Sequence, residues 1–193
     1  MREPISYGCR PAKGETKGSK KTPVIVCINL CEVSLTMASI LDNLTEKMAK
    51  YILLDFDGVI TSHRYSLKCY REHAEPNIYG LDWFDPECIA ILKGIVDETG
   101  AEIIVSSSWR NLWSVQLQRI WEYVPMPGKL AGIVPVWILD KKEAIRYWLK
   151  QHPDDRYVII DDDDLGLDNQ YRTDHRMGLV DEDADKIIAL LNS

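Results

Sequence analysis

The sequence predicts an α/β fold, a Rossmann-like parallel sheet with helices on both faces. Short continuous apolar runs, the mark of strands buried on both faces, recur at "YILL" (51–54), "AEIIV" (101–105) and "RYVII" (156–160). Stretches of helical periodicity with capping residues lie between them. Each run also breaks off into polar residues: Asp55 and Asp57, then Ser106 to Ser108, then Asp161 to Asp164. Strands alternating with helices wind a parallel sheet through right-handed crossovers. In such sheets the site forms beyond the carboxyl ends of the strands.

Taken in order, Tyr51 to Leu54 is the first strand. "FDPECIAILKGIVDETG" (84–100) reads as a helix: Asp85 can cap it, Pro86 suits its first position, Ile89, Leu92, Ile95 and Val96 share a face, and Gly100 can end it. "AEIIVSSSWR" is a second strand that dissolves into hydroxyl residues. Asn111 to Val124 is Trp-rich and helical, stopped by "PMPG". "GIVPVWIL" (132–139) is a short strand or an extended connection, with Pro135 against the strand. Asp140 caps "KKEAIRYWLKQH", which turns Ala144, Ile145, Trp148 and Leu149 inward. "MGLV" (177–180) forms a small strand before the closing capped helix, "DEDADKIIALL".

Composition narrows the function classes. In 193 residues with 46% hydrophobic content, one domain plus an extension is expected. Residues 1–47 differ from the rest: "CRPAKGETKGSKKTP" reads as a disordered tail, and "VIVCINLCEV" is interrupted by Asn29 and Glu32 with no signal cleavage site after it. Met48 opens "MAKYILLDFDGVI" like a natural start, so residues 1–47 are expected to be either a dispensable extension or an over-long start assignment, and 48–193 the domain. A net charge of -7 argues against a general nucleic-acid coat protein, although not against a local basic groove. The five cysteines (Cys9, Cys27, Cys31, Cys69, Cys88) form no Cys-x-x-Cys pair and do not cluster with histidine. Reduced thiols in a cytoplasm are therefore expected. No apolar run approaches the roughly 18 residues that span a bilayer, and no obligate protein partner is evident.

The strand ends carry the chemistry. Side chains two apart on a strand share a face, so Asp55 and Asp57 are expected together with Phe56 turned away. Two acidic strand ends in one crevice repel by roughly 4 kcal/mol per pair at about 4 Å and an effective dielectric of 20. A cation would offset this, and all-oxygen ligation beside phosphate suits Mg²⁺. Phosphate in turn needs donors: the serine hydroxyls, the backbone N–H groups after them, Arg110, and Lys141 or Lys142. One carboxylate can then attack phosphorus while another shuttles the leaving-group proton.

The order "DFDGVI", "SSSWR", a helix-borne lysine and "VIIDDDD" resembles the haloacid dehalogenase-like (HAD) phosphohydrolases. More narrowly, "SSSWR", "AIRYWL", "YVIIDDDD" and the "RTD…GL" ending resemble the small subgroup found in bacterial and phage RNA-repair proteins, from about Met48 to Ser193. The resemblance implies Asp55 as the nucleophile that becomes an aspartyl-phosphate. It implies Asp57 as general acid and base, lending its backbone carbonyl to Mg²⁺, with Asp161 and Asp162 as the second metal-binding group. Ser107 is the expected phosphate-binding hydroxyl, with Ser106 close behind and Ser108 and Arg110 as further contacts. Lys142 is taken as the stabilising base with Lys141 as its neighbour, a choice the spacing does not settle. Only about 40 residues separate the first two motifs, which leaves room for a minimal cap domain or none and predicts an open site.

The expected function is a Mg²⁺-dependent phosphohydrolase of phosphate monoesters, leaning towards nucleic-acid or nucleotide phosphate ends. The alternatives are a small-metabolite phosphatase and a non-catalytic acidic module that binds metal or a partner. Plainer readings stand beside these. "DDDDLGLDNQ" fails as a calcium loop because Leu165 and Arg172 occupy ligand positions. Trp109, Trp113, Trp121, Trp137 and Trp148 read as core or interface before base-stacking platforms. His63 is a surface residue or a substrate contact, and Arg172, Asp174 and Arg176 are a polar loop or the site's rim.

Overall fold

The computed structural model describes residues 48–72, 83–111 and 114–193. Expectations for residues 1–47 and Trp113 lie outside the described residues. Five parallel strands form one sheet in the order β3-β2-β1-β4-β5. They are β1 (Lys50–Leu54), β2 (Glu102–Val105), β3 (Leu130–Ile133), β4 (Arg156–Asp161) and β5 (Gln170–Arg172). The helices are α1 (His63–Arg71), α2 (Pro86–Thr99), α3 (Ser114–Tyr123), α4 (Lys141–Gln151) and α5 (Asp181–Asn192).

The central strands alternate two apolar faces, as burial on both sides requires. Ile52, Leu54, Ile103, Val105, Val158 and Ile160 pack with α2, α3 and α5; Leu53, Ile104 and Ile159 pack with Ala144, Ile145 and Trp148 of α4. Each such fully buried aliphatic contributes about 1.5–3 kcal/mol relative to exposure. The predicted caps form: the Asp85 carboxylate accepts the Glu87 N–H at 3.0 Å, that of Asp140 accepts the Glu143 N–H at 2.8 Å, and Gly100 ends α2 at φ 67°.

Four local expectations change. The strand sought in "GIVPVWIL" is instead Leu130–Ile133, because Pro135 cannot donate to the ladder and the chain turns after Val134. "MGLV" is not a strand; β5 is Gln170–Arg172, held by its pairing with β4. Helix α1 was not foreseen. It fully buries no residue, and its signal is Ser62, whose hydroxyl accepts the Tyr65 N–H at 3.2 Å. The serines after β2 lead into a 3₁₀ turn, Ser108–Asn111, and α3 starts only at Ser114.

Among the described residues between β1 and β2, regular structure amounts to α1, α2 and a turn at Trp83. No described helix is long and apolar enough to cross a membrane.

Candidate active site

Sheet register builds the site. Leu53 lies beside Ile104 on one neighbour and Ile159 on the other, all three facing α4. Two residues further along each chain come Asp55, Ser106 and Asp161, and a period of two keeps them towards the same face. Helix α4 crosses there, and its first residue, Lys141, reaches in. Its Nζ lies 2.6 Å from Asp55 Oδ2 and 3.0 and 3.1 Å from the two oxygens of Asp161. Lys141 also lies on the stripe of Ala144, Ile145 and Trp148, three, four and seven residues on. Lys142 does not face the carboxylates: its ammonium hangs over the turn at Gly166. The lysine brought to the carboxylates is thus 141, between two that the spacing left open with 142 taken as the base.

Carboxylate oxygens of Asp55, Asp161 and Asp162 lie within 4.8 Å of one another, the one group of this kind found among the described residues. Asp55 and Asp161 are buried, and Asp162 is partly so. Burial, and then the Asp55 charge, push the Asp161 carboxyl up to about 6 although Lys141 pulls the other way. Asp162 is also raised, by burial and by the charges of Asp163 and Asp55. Burial works against the Lys141 ammonium, but the charges of Asp55 and Asp161 prevail and raise it. Three converging oxygen donors with surplus negative charge fit a hard divalent cation such as Mg²⁺, and do not fit a soft metal.

Asp57 departs from the expected arrangement. The strand ends at Leu54 and the chain turns at Gly58 (φ 74°), so the two-residue alternation no longer applies. The Asp57 carboxylate leaves the three-acid group and is exposed. Its Oδ2 accepts the Trp109 indole N–H at 3.1 Å, and its Oδ1 shares the Thr61 hydroxyl with the Phe56 carbonyl, each at 3.1 Å. The turn needs glycine twice over, because besides the positive φ a Cβ at position 58 would lie 2.5 Å from the Asp162 carboxyl carbon. Strand β5 and the residue after it brace these loops: Thr173 Oγ1 donates to the Gly58 carbonyl at 2.9 Å, and Arg172 Nε donates to the Asp162 carbonyl at 2.8 Å.

The serines divide. Ser106 is fully buried, and its hydroxyl has no hydrogen-bond partner among the described residues. Ser107 is buried too, and its hydroxyl accepts the Trp109 backbone N–H at 3.3 Å. Ser108 is exposed at the start of the 3₁₀ turn. Arg110, expected as a phosphate contact, is instead a buried strut. Its guanidinium donates to the carbonyls of Ser106 and Ser107 (3.1 and 3.2 Å) and of Ile138 and Leu139 (3.4 and 3.2 Å). It thereby ties the end of β2 to the loop that delivers Lys141.

Beside Asp57 and Asp162 an open cleft of about 620 Å³ is lined by Thr61, His63, Trp83, Trp109 and His175. Of these, His63 was open in the sequence reading. The positioning contacts of Thr61 and Trp109 were missed, and the signal that could have found them is that both flank acid-bearing or hydroxyl-bearing strand ends.

A family model described as the HAD domain in Swiss Army Knife RNA repair proteins matches residues 51–184. No curated protein and no solved structure gives a significant match. The matched span runs from the second residue of β1 into α5 and takes in the other four strands and the whole acidic cluster. The chain belongs to the family of HAD domains found in Swiss Army Knife RNA repair proteins, within the haloacid dehalogenase-like phosphohydrolases.

Proposed function

We propose that residues 48–193 form a cytoplasmic, Mg²⁺-dependent phosphohydrolase that cleaves phosphate monoesters through an aspartyl-phosphate, acting on nucleic-acid or nucleotide phosphate ends, and that residues 1–47 are dispensable for it. The observation carrying this reading is the convergence of Asp55, Asp161, Asp162 and Lys141 at adjoining strand ends. An Asp55 oxygen attacks phosphorus as the bond to the leaving oxygen breaks, and Asp57 protonates that oxygen. Asp57 then takes a proton from the water that hydrolyses the aspartyl-phosphate. The Lys141 ammonium and the hydroxyls of Ser106 and Ser107 hold the phosphoryl oxygens. Bound Mg²⁺, held by Asp55, Asp161, Asp162 and the Asp57 carbonyl, would neutralise charge on phosphate and carboxylates.

The open cleft with two indoles among its walls favours a flat, stackable leaving group. With Mg²⁺ present, end-phosphorylated oligonucleotides should give kcat/KM at least about tenfold above small sugar phosphates, a margin that one stacked base supports. Equal rates would remove the nucleic-acid preference, and no turnover of any phosphate ester would leave only a metal-binding module.

Proton and metal compete for Asp161. The folded, metal-free chain holds this proton more tightly than the unfolded chain. Its contribution to stability is therefore largest below pH about 4 and is lost as pH rises through about 6. Metal needs the carboxylate, so the apparent Mg²⁺ affinity measured by calorimetry should fall about tenfold per pH unit below 6. A flat affinity between pH 5 and 7.5 would sink Asp161 as a ligand.

A further inference from the structure

We infer that Trp109 is a positioning residue for the leaving-group proton: its indole N–H fixes the plane of the Asp57 carboxylate so that a free lone pair of that group faces the cleft. The inference rests on the reading of Asp57 as the general acid.

Asp57 needs such help because it lies beyond the regular strand, the one exposed residue of an otherwise buried turn, where an isolated bridge to Thr61 orders the backbone but not the side chain. A carboxylate there would rotate about its terminal torsion, which is soft and broad. Two donors stop it. Trp109 donates to one oxygen at 3.1 Å, and the Thr61 hydroxyl, shared at the same distance with the Phe56 carbonyl, lies against the other, so the indole is the undivided donor. Each oxygen keeps a second lone pair, and the cleft where a leaving group would lie is lined by the same three residues.

The indole itself cannot swing. Its ring packs edge-on against Phe56 at 5.8 Å and Phe84 at 5.6 Å, and its backbone N–H donates to Ser107 Oγ at 3.3 Å. Phe56 is fully buried, and its neighbour Asp55 is the proposed nucleophile. One residue thus couples the end of β2, the buried aromatic cluster and the acid. Because indole nitrogen only donates, this contact leaves the orientation of Asp57 unambiguous, which a hydroxyl, able to donate or accept, would not do.

A merely structural tryptophan and a positioning one differ in leaving-group dependence. Protonation matters for an alkyl phosphate, whose alkoxide leaves badly, and little for nitrophenyl phosphate. The measured quantity is kcat/KM, which reports steps up to formation of the aspartyl-phosphate. Replacing Trp109 by 3-benzothienylalanine exchanges the N–H for sulfur and keeps the ring's shape; Trp109→Phe serves as the genetic variant. Both should lower kcat/KM for the alkyl ester about ten- to a hundredfold, and at least about tenfold more than for the aryl ester. Asp57→Asn should show the same split, larger. If Asp57→Asn splits the two esters and the benzothienyl protein does not, the role of Trp109 is overturned while Asp57 stands. If Asp57→Asn itself shows no split, the general-acid reading fails first, and this inference with it.

Discussion

Asp55→Asn is expected to lower the hydrolysis of nitrophenyl phosphate by about four orders of magnitude or more, the scale on which a lost nucleophile is felt. The fold should survive unchanged. Asp55 is buried just past β1, with Oδ1 accepting the Phe56 N–H at 2.8 Å and Oδ2 accepting Lys141 at 2.6 Å. An amide keeps the size but only one of these two accepted bonds, because its NH2 cannot accept, and it cannot form the acyl phosphate by simple attack. It also removes one charge from a crowded group, so the Asp161 carboxyl should come down from about 6, burial remaining the reason it is raised at all. Activity assays with Mg²⁺, alongside thermal melts of both proteins, check the two halves together. Turnover within tenfold of the parent would remove Asp55 from the mechanism.

Lys141→Ala should lower kcat about 10²- to 10³-fold, the usual loss when one preorganised donor to a developing oxyanion is removed. Lys142→Ala should stay within about threefold, since its ammonium hangs over Gly166 instead of the carboxylates. The stability effect has its own signature. Without Lys141, Asp55 and Asp161 face each other across a partly buried gap with no cation between them, which is the costly way to break an ion pair. The melting temperature of Lys141→Ala should therefore drop in chelator and largely recover with Mg²⁺, whereas Lys142→Ala should respond to neither. Equal, mild losses for both variants would mean that neither lysine serves the site.

The choice between these lysines shows where sequence reading stops. Both open an amphipathic helix, and successive residues differ by about 100° around its axis. With Leu149 counted as inward, Lys142 shares a stripe with Ile145 and Leu149. Once Trp148 is the buried residue and Leu149 only half-buried, the stripe shifts to Lys141. Helix phase against the sheet is set by packing between distant segments. The same limit explains Arg110: a basic residue after three serines reads as an anion contact, and only the approach of the Ile138–Leu139 carbonyls makes it a strut.

From residue order alone came the parallel architecture, the capped helices α2 and α4, and the meeting of acidic, hydroxyl and basic residues beyond the carboxyl ends of the strands. These are legible because burial on both faces demands unbroken apolar runs, and a charge at the end of such a run has few places to go. Only the folded molecule decided which lysine enters, that Asp57 turns away from the other acids into the grip of Thr61 and Trp109, and that β5 exists at all. Those outcomes depend on contacts between segments far apart in the chain, in turns where side-chain alternation lapses and no local period records where a group points.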